Sequence, residues 1–135
     1  MLSGKWTYRS FINTPARVNG DPQKALRLIF GEGEFTFEPG EGDQFGGQFV
    51  MAPGVALTLQ GKMLPGDPEG FAIAGLGIDG TATEGWRYDY HGVAGFLWPD
   101  GVDQVPSLVG TLMRVNAHGP GAPAGFTASF IAVRQ

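Results

Sequence analysis

The sequence predicts an all-β fold, an antiparallel up-and-down barrel of about eight strands that forms one domain over residues 1–135. Apolar and polar residues alternate along many short segments, as in strands that bury one face. Glycine and proline punctuate these segments, with 23 Gly and 10 Pro in 135 residues. No segment carries the apolar stripe of an amphipathic helix. Short antiparallel strands must protect their edges, and closure into a barrel is favoured because it removes those edges. A sandwich is the alternative fold.

The alternating segments define the individual strands. We predict strands over Lys5–Ile12, Leu26–Phe30, Glu34–Glu38, Gln48–Met51, Val55–Met63, Phe71–Asp79, Trp86–Trp98, Ser107–Val115 and Phe126–Arg134. Gly31 and Gly33 predict a bulge or bend. Gln48–Met51 is short enough for an edge or an irregular link, and Trp86–Trp98 reads as one strand or as two joined at Gly92–Gly95.

One short helical turn is the only helix that the sequence allows. It lies within Asp21–Leu28, where Asp21 can cap the first turn and Pro22 can occupy it. The segment then runs directly into an apolar β-like stretch, so the helix cannot be long.

Composition excludes several classes of function. The nine Lys and Arg residues are scattered and the formal net charge is −4, so we expect no nucleic-acid partner. There is no cysteine, and His91 and His118 lie far apart, so we expect no metal site. No apolar run is long enough for a membrane helix and no leader pattern precedes Trp6. We therefore expect a cytoplasmic protein without a membrane partner.

A glycine motif suggests a dinucleotide site but lacks its context. Gly75–Gly80 matches the Gly-x-Gly-x-x-Gly fingerprint. That fingerprint works because the glycine loop opens a helix whose N-terminus faces the pyrophosphate. The residues that follow, 81–90, are strand-like. The motif is therefore interpreted as a glycine-rich strand that runs into an Asp79-Gly80 turn, and no cofactor is expected.

The segment Trp86–His91 is the most informative in the chain. Its period of two places Trp86, Tyr88 and Tyr90 on one face and Arg87, Asp89 and His91 on the other. Inward aromatic rings would line a ligand pocket.

Inward charged groups would instead let Asp89 orient His91 as a general base, with Arg87 holding an anion. We favour the aromatic face as the inner one because large apolar surfaces prefer burial. A third arrangement places Arg87, Asp89 and His91 outside, either paired with neighbouring strands or buried in an oligomer contact.

Other aromatic and hydroxyl residues extend the candidate binding site. Trp6, Tyr8 and Ser10 form a similar mixed face on the first strand. Trp98 is expected at one end of the barrel, either as a lid or as packing. The candidate ligand-binding residues are Trp6, Tyr8, Ser10, Trp86, Arg87, Tyr88, Tyr90 and Trp98, and the candidate catalytic residues are Asp89 and His91.

The first strand resembles a known family of small barrels. Leu2-Ser3-Gly4-Lys5-Trp6-Thr7 is similar to the opening strand of the avidins and to the Gly-x-Trp signature of lipocalins. Ser107–Thr111 is similar to a late avidin strand. The resemblance implies a calycin-type eight-stranded barrel in which Trp6 closes one end. It does not imply biotin binding, because Tyr8-Arg9-Ser10-Phe11 has no matching Asn.

These observations favour a module that binds a small hydrophobic or aromatic molecule inside the barrel. Two other interpretations stay open at this point. One is a small-barrel isomerase, cyclase or lyase that uses general acid and base residues at the lumen. The other is a non-catalytic structural protein that assembles as a homo-oligomer.

Overall fold

In the computed structural model, which describes residues 1–135, an eight-stranded antiparallel sheet closes into a barrel. The elements in chain order are β1 Gly4–Ile12, α1 Pro22–Leu26, β2 Ile29–Pro39, β3 Gln44–Ala52, β4 Val55–Leu64, β5 Gly70–Gly77, β6 Arg87–Ala94, β7 Ser107–Arg114 and β8 Thr127–Arg134. Each strand pairs with the next, and β1 also pairs with β8. The predicted all-β up-and-down barrel is confirmed.

The up-and-down order gives the barrel two different ends. The connections that follow β1, β3, β5 and β7 lie at one end, which we call the open end. The connections that follow β2, β4 and β6 lie at the other, which we call the closed end, together with the start of β1 and the finish of β8.

The helix α1 matches its prediction. Asp21 caps it by accepting hydrogen bonds from the backbone nitrogens of Gln23 (2.9 Å) and Lys24 (3.5 Å), and a proline occupies the first turn. None of its five residues is buried. No helix in the structure has the length and apolar character needed to cross a membrane.

Three strands differ most from their predicted bounds. β2 is one continuous strand through Gly31 and Gly33, where a bulge or bend between two segments was expected, and its pairing with β1 shifts by one residue between Ile29 and Gly31, in agreement with a bulge there. A Cβ atom at Gly33 would collide with the ring of Phe49, so this glycine makes room for an aromatic ring. β3 is a full strand rather than a short link, and β6 ends at Ala94, which leaves Trp98 in a loop.

Aromatic rings fill the middle of the barrel. Tyr8, Phe35, Phe49, Tyr90 and Phe130 pack edge-on, tilted or stacked, with ring centroids 4.6–6.5 Å apart. They come from five different strands and belong to one cluster of 19 buried hydrophobic residues. On these strands, the residues that face the interior therefore follow the alternation seen in the sequence.

The Gly75–Gly80 segment forms the end of β5 and the turn after it. No helix follows, in agreement with its interpretation as a strand and a turn. A Cβ atom at Gly77 would collide with the backbone carbonyl of Thr83, because the loop after β5 folds back onto the strand. Gly80 has a positive φ of 77°, which the turn requires.

Candidate functional site

A cavity of about 220 Å³ opens at the open end of the barrel, above the aromatic cluster. Nine of its thirteen lining residues are hydrophobic. Its walls are Tyr8, Ser10, Phe30, Gly31, Phe49, Met51, Leu57, Trp86, Tyr88, Tyr90, Leu112, Arg114 and His118. The volume corresponds to roughly seven waters at about 30 Å³ each, which is room for a ligand of about ten non-hydrogen atoms.

One buried cation lies in the cavity wall. Arg114, near the end of β7, is only 5% exposed. Its Nε donates to the Tyr88 hydroxyl (2.8 Å) and its Nη1 donates to the carbonyl of Pro123 (3.0 Å). The rings of Phe30, Tyr88 and Phe126 surround the guanidinium carbon at 5.2–5.6 Å, so aromatic faces stabilise its charge.

Tyr88 connects this cation to a histidine. The Tyr88 hydroxyl lies 2.6 Å from Nε2 of His118. Since Arg114 already donates to the phenol oxygen, we assign the phenol hydrogen to the bond with His118, whose Nε2 then accepts it. Burial, and next the nearby charge of Arg114, lower the pKa of His118 below its ordinary 6.5. The neutral form of the imidazole therefore predominates at pH 7.

Trp86 completes this wall of the cavity. Its ring stacks on the imidazole of His118, with centroids 3.8 Å apart and planes 17° apart. Its backbone is held by hydrogen bonds to Gly77 and Thr83. The loops after β5 and β7 thus contribute one ring each to the rim of the cavity.

Two more phenols form the floor of the cavity. Tyr8 and Tyr90 are both buried and both line the cavity. Burial, as the main cause, raises the pKa of each phenol well above its usual range. Both phenols are therefore neutral at and well above pH 7, and each offers a polar contact in an apolar wall.

The structure brings together five of the predicted ligand-binding residues. Tyr8, Ser10, Trp86, Tyr88 and Tyr90 all line the cavity, and the aromatic face of the Trp86–His91 segment points inward.

Trp6 is buried as well, but it lies at the closed end. Its indole nitrogen donates to the Ser3 carbonyl (2.9 Å) and its ring packs against Arg134. Trp98 is 67% exposed in the loop after β6, at the closed end and away from the cavity. Its expected contribution to the ligand site is not supported by this position.

The charged face of β6 lies on the outside of the barrel. Arg87 and Asp89 form an ion pair of 3.0 Å, and His91 is exposed two residues further along. The hydrogen bond with Asp89 raises the pKa of Arg87. All three border an outer surface groove rather than the lumen. The interpretation of Asp89 and His91 as an acid–base pair in the lumen, with Arg87 beside them, therefore lacks the geometry it needs.

Sequence reasoning missed the two polar groups that distinguish the cavity. Arg114 lies six residues after Leu108 and two after Leu112 within β7, so the alternation places its side chain on the same inward face as theirs. His118 lies in a loop with glycines on its C-terminal side, and no periodicity reports its direction. Its proximity to Tyr88 depends on the fold of that loop.

No protein-family model, curated protein or solved structure matches this chain. The closed eight-stranded barrel is compatible with a calycin-type fold, and that resemblance stays a prediction. The structure also contains no group of three or more His, Asp or Glu side chains placed to hold a metal ion.

Proposed function

We propose that the protein binds one small apolar or aromatic molecule in the cavity at the open end of the barrel. The observation that carries this proposal is the cavity itself, which stays open above a tightly packed aromatic cluster. Barrels of eight strands have an interior just wide enough to be filled by side chains or to hold one small ligand. In this barrel, side chains fill the middle of the interior, and the cavity above them is left for a ligand.

The wall of the cavity supports this choice of ligand. Rings and aliphatic chains provide most of its surface, and the few polar groups are converging hydroxyls, an imidazole and a guanidinium. Such a composition is typical of small-molecule sites, in which apolar contacts supply affinity and a few polar groups supply orientation. The calycin-type resemblance of the first strand points to the same kind of protein.

Indole resonances give a direct test, because Trp86 lines the cavity whereas Trp6 and Trp98 lie at the other end. We expect the neutral probes p-cresol, indole and phenylacetamide, each of about ten non-hydrogen atoms or fewer, to shift the Trp86 side-chain N–H signal saturably. The signals of Trp6 and Trp98 should stay in place. No shift at Trp86 with any probe, or a shift confined to Trp98, would contradict the proposal.

A matched pair of glycine variants locates the site. Gly31 lies in the cavity wall with a non-positive φ, and a Cβ atom there would meet only the Ser10 hydroxyl, at 3.3 Å. Gly31→Val therefore fills part of the cavity, and we expect it to weaken probe binding at least about tenfold, or 1.4 kcal/mol. Gly46→Val adds the same side chain on β3 outside the cavity wall and should leave binding unchanged. Equal affinities in the two variants would place the probes elsewhere.

A further inference from the structure

The charge of Arg114 has no partner of opposite sign in the protein. The ion pairs of the structure join Lys5 to Glu34, Lys62 to Asp43 and Arg87 to Asp89, and none includes Arg114. No aspartate or glutamate lines the cavity. This is unusual in a chain with 13 acidic and nine basic residues, in which a carboxylate would be the expected neighbour of a buried arginine.

The guanidinium also keeps hydrogen-bonding capacity. It carries five N–H groups, of which one on Nε and one on Nη1 have protein acceptors. Nη2 makes no hydrogen bond. No fully buried side-chain nitrogen or oxygen in the protein lacks a partner, so Nη2 is accessible to solvent or to a bound molecule. Arg114 therefore lines the cavity and carries N–H donors that have no acceptor in the protein.

The cavity wall holds no negative charge that would balance Arg114. Of the titratable side chains in the cavity wall, Tyr8 and Tyr90 are neutral phenols, Tyr88 donates to His118, and His118 is neutral. A lone buried charge is costly unless it is paired, and a ligand of opposite charge removes that cost.

We propose that the ligand is a small aromatic or aliphatic monocarboxylate whose carboxylate binds Arg114 and whose apolar part lies among the rings of the cavity. This inference rests on the proposed function and narrows it. A carboxylate is planar and accepts two N–H donors from a guanidinium, which gives strong and directional hydrogen bonds. A single negative charge matches the single positive charge, whereas a dianionic phosphate would place excess charge against the apolar wall.

Probe pairs that differ only in charge test the inference. We expect phenylacetate, benzoate and hexanoate to bind the wild-type protein roughly tenfold to hundredfold more tightly than phenylacetamide, benzamide and hexanamide. The Trp86 indole signal reports all six. Equal affinity within each pair would overturn the carboxylate inference and leave the proposed function standing. Failure of all six to shift the Trp86 signal would overturn both.

Two arginine variants assign the preference to a residue. Arg114→Met keeps an unbranched side chain of similar length and removes the charge, so the preference for each carboxylate over its matching amide should fall to within about twofold. Arg134→Met removes the guanidinium that packs on Trp6 at the closed end and should leave the preference intact. A preference that persists in Arg114→Met would overturn the inference.

A direct measurement covers the case in which Arg114→Met does not fold. In the wild-type protein, phenylacetate should shift the Arg114 side-chain N–H signals further than saturating phenylacetamide does. Equal shifts with the two probes would contradict a carboxylate–guanidinium contact.

Discussion

His118 shows how one side chain can depend on its neighbours for its protonation state. It lies between the stacked ring of Trp86 and the hydroxyl of Tyr88, with the charge of Arg114 beyond that hydroxyl. Burial and this charge both lower its pKa. Protonation would put a second cation beside Arg114 and would remove the acceptor of the Tyr88 hydrogen bond.

This arrangement predicts a pH dependence of stability. The pKa of His118 is lower in the folded protein than in the unfolded chain, so the unfolded chain binds more protons and acid favours unfolding. The contribution is present above pH 6.5 and is lost as pH falls through the folded-state pKa. We expect wild type to lose more stability than His118→Gln between pH 7.5 and 5.5 in urea unfolding. Because carboxylates titrate alike in both proteins, identical pH profiles would refute this prediction.

Single residues also mark the limit of what the sequence can predict. Alternation placed Tyr88, Tyr90 and Ser10 inside the barrel, and the structure agrees. The alternation along β7 also indicates that Arg114 faces inward. The absence of a carboxylate near it, however, depends on all the residues that line the cavity. Sequence spacing alone cannot report which charges end up unpaired.

At the scale of elements, the connection between β5 and β6 holds one wall of the cavity. Thr83 in this connection is fully buried. Its hydroxyl donates to the Ala56 carbonyl of β4 (2.7 Å) and accepts from the backbone nitrogen of Ile78 (3.1 Å). The same loop positions Trp86 through the Thr83 carbonyl (2.9 Å). One hydroxyl therefore fixes the loop to the barrel wall.

Thr83→Val tests this role. The methyl group replaces the hydroxyl at similar volume but leaves the half-buried Ala56 carbonyl and Ile78 N–H without their partner, so we expect a loss of about 1–3 kcal/mol in unfolding free energy. The Trp86 indole signal should also move. Thr111→Val on the exposed face of β7 is the matched control, with an expected change within about 0.5 kcal/mol. Equal effects of the two substitutions would show that the Thr83 hydroxyl does not hold the loop.

Strand positions were more predictable than strand ends. The patterns of Lys5–Ile12 and Val55–Met63 match β1 and β4 to within one residue at each end. β3 was underestimated because Gly46 and Gly47 interrupt its apolar pattern, although both pair within the ladder. In the sequence, a glycine therefore predicts the end of a strand. In this structure, glycines lie within strands and allow neighbouring rings and strands to pack closely.

At the scale of the whole molecule, two tryptophans at the closed end contrast sharply. Trp6 is 4% exposed and belongs to the core, whereas Trp98 is 67% exposed and contacts the exposed ring of Phe96. Both were candidate ligand residues, Trp6 because of the mixed face of the first strand and Trp98 because of its expected place at one end of the barrel. Burial separates them, and burial depends on where each loop leaves the barrel rather than on the residue type.

The contrast predicts very different costs of truncation. Trp6→Ala should lower the unfolding free energy by about 3–5 kcal/mol, because it removes a large side chain from the packed core. Trp98→Ala should change it by less than about 0.5 kcal/mol. Thermal or urea unfolding of both variants provides the measurement. A large loss of stability in Trp98→Ala would contradict this prediction, because it would mean that the Trp98 side chain is buried in solution.

Barrel closure also determines where the chain enters and leaves. Gln135 donates from its backbone to the Lys5 carbonyl (3.0 Å), so the two termini lie side by side at the closed end. Anything joined to either terminus departs from the face opposite the cavity mouth. The protein can therefore be tethered to a support, fused to a reporter, or closed head to tail by a short linker with its binding mouth left facing outward.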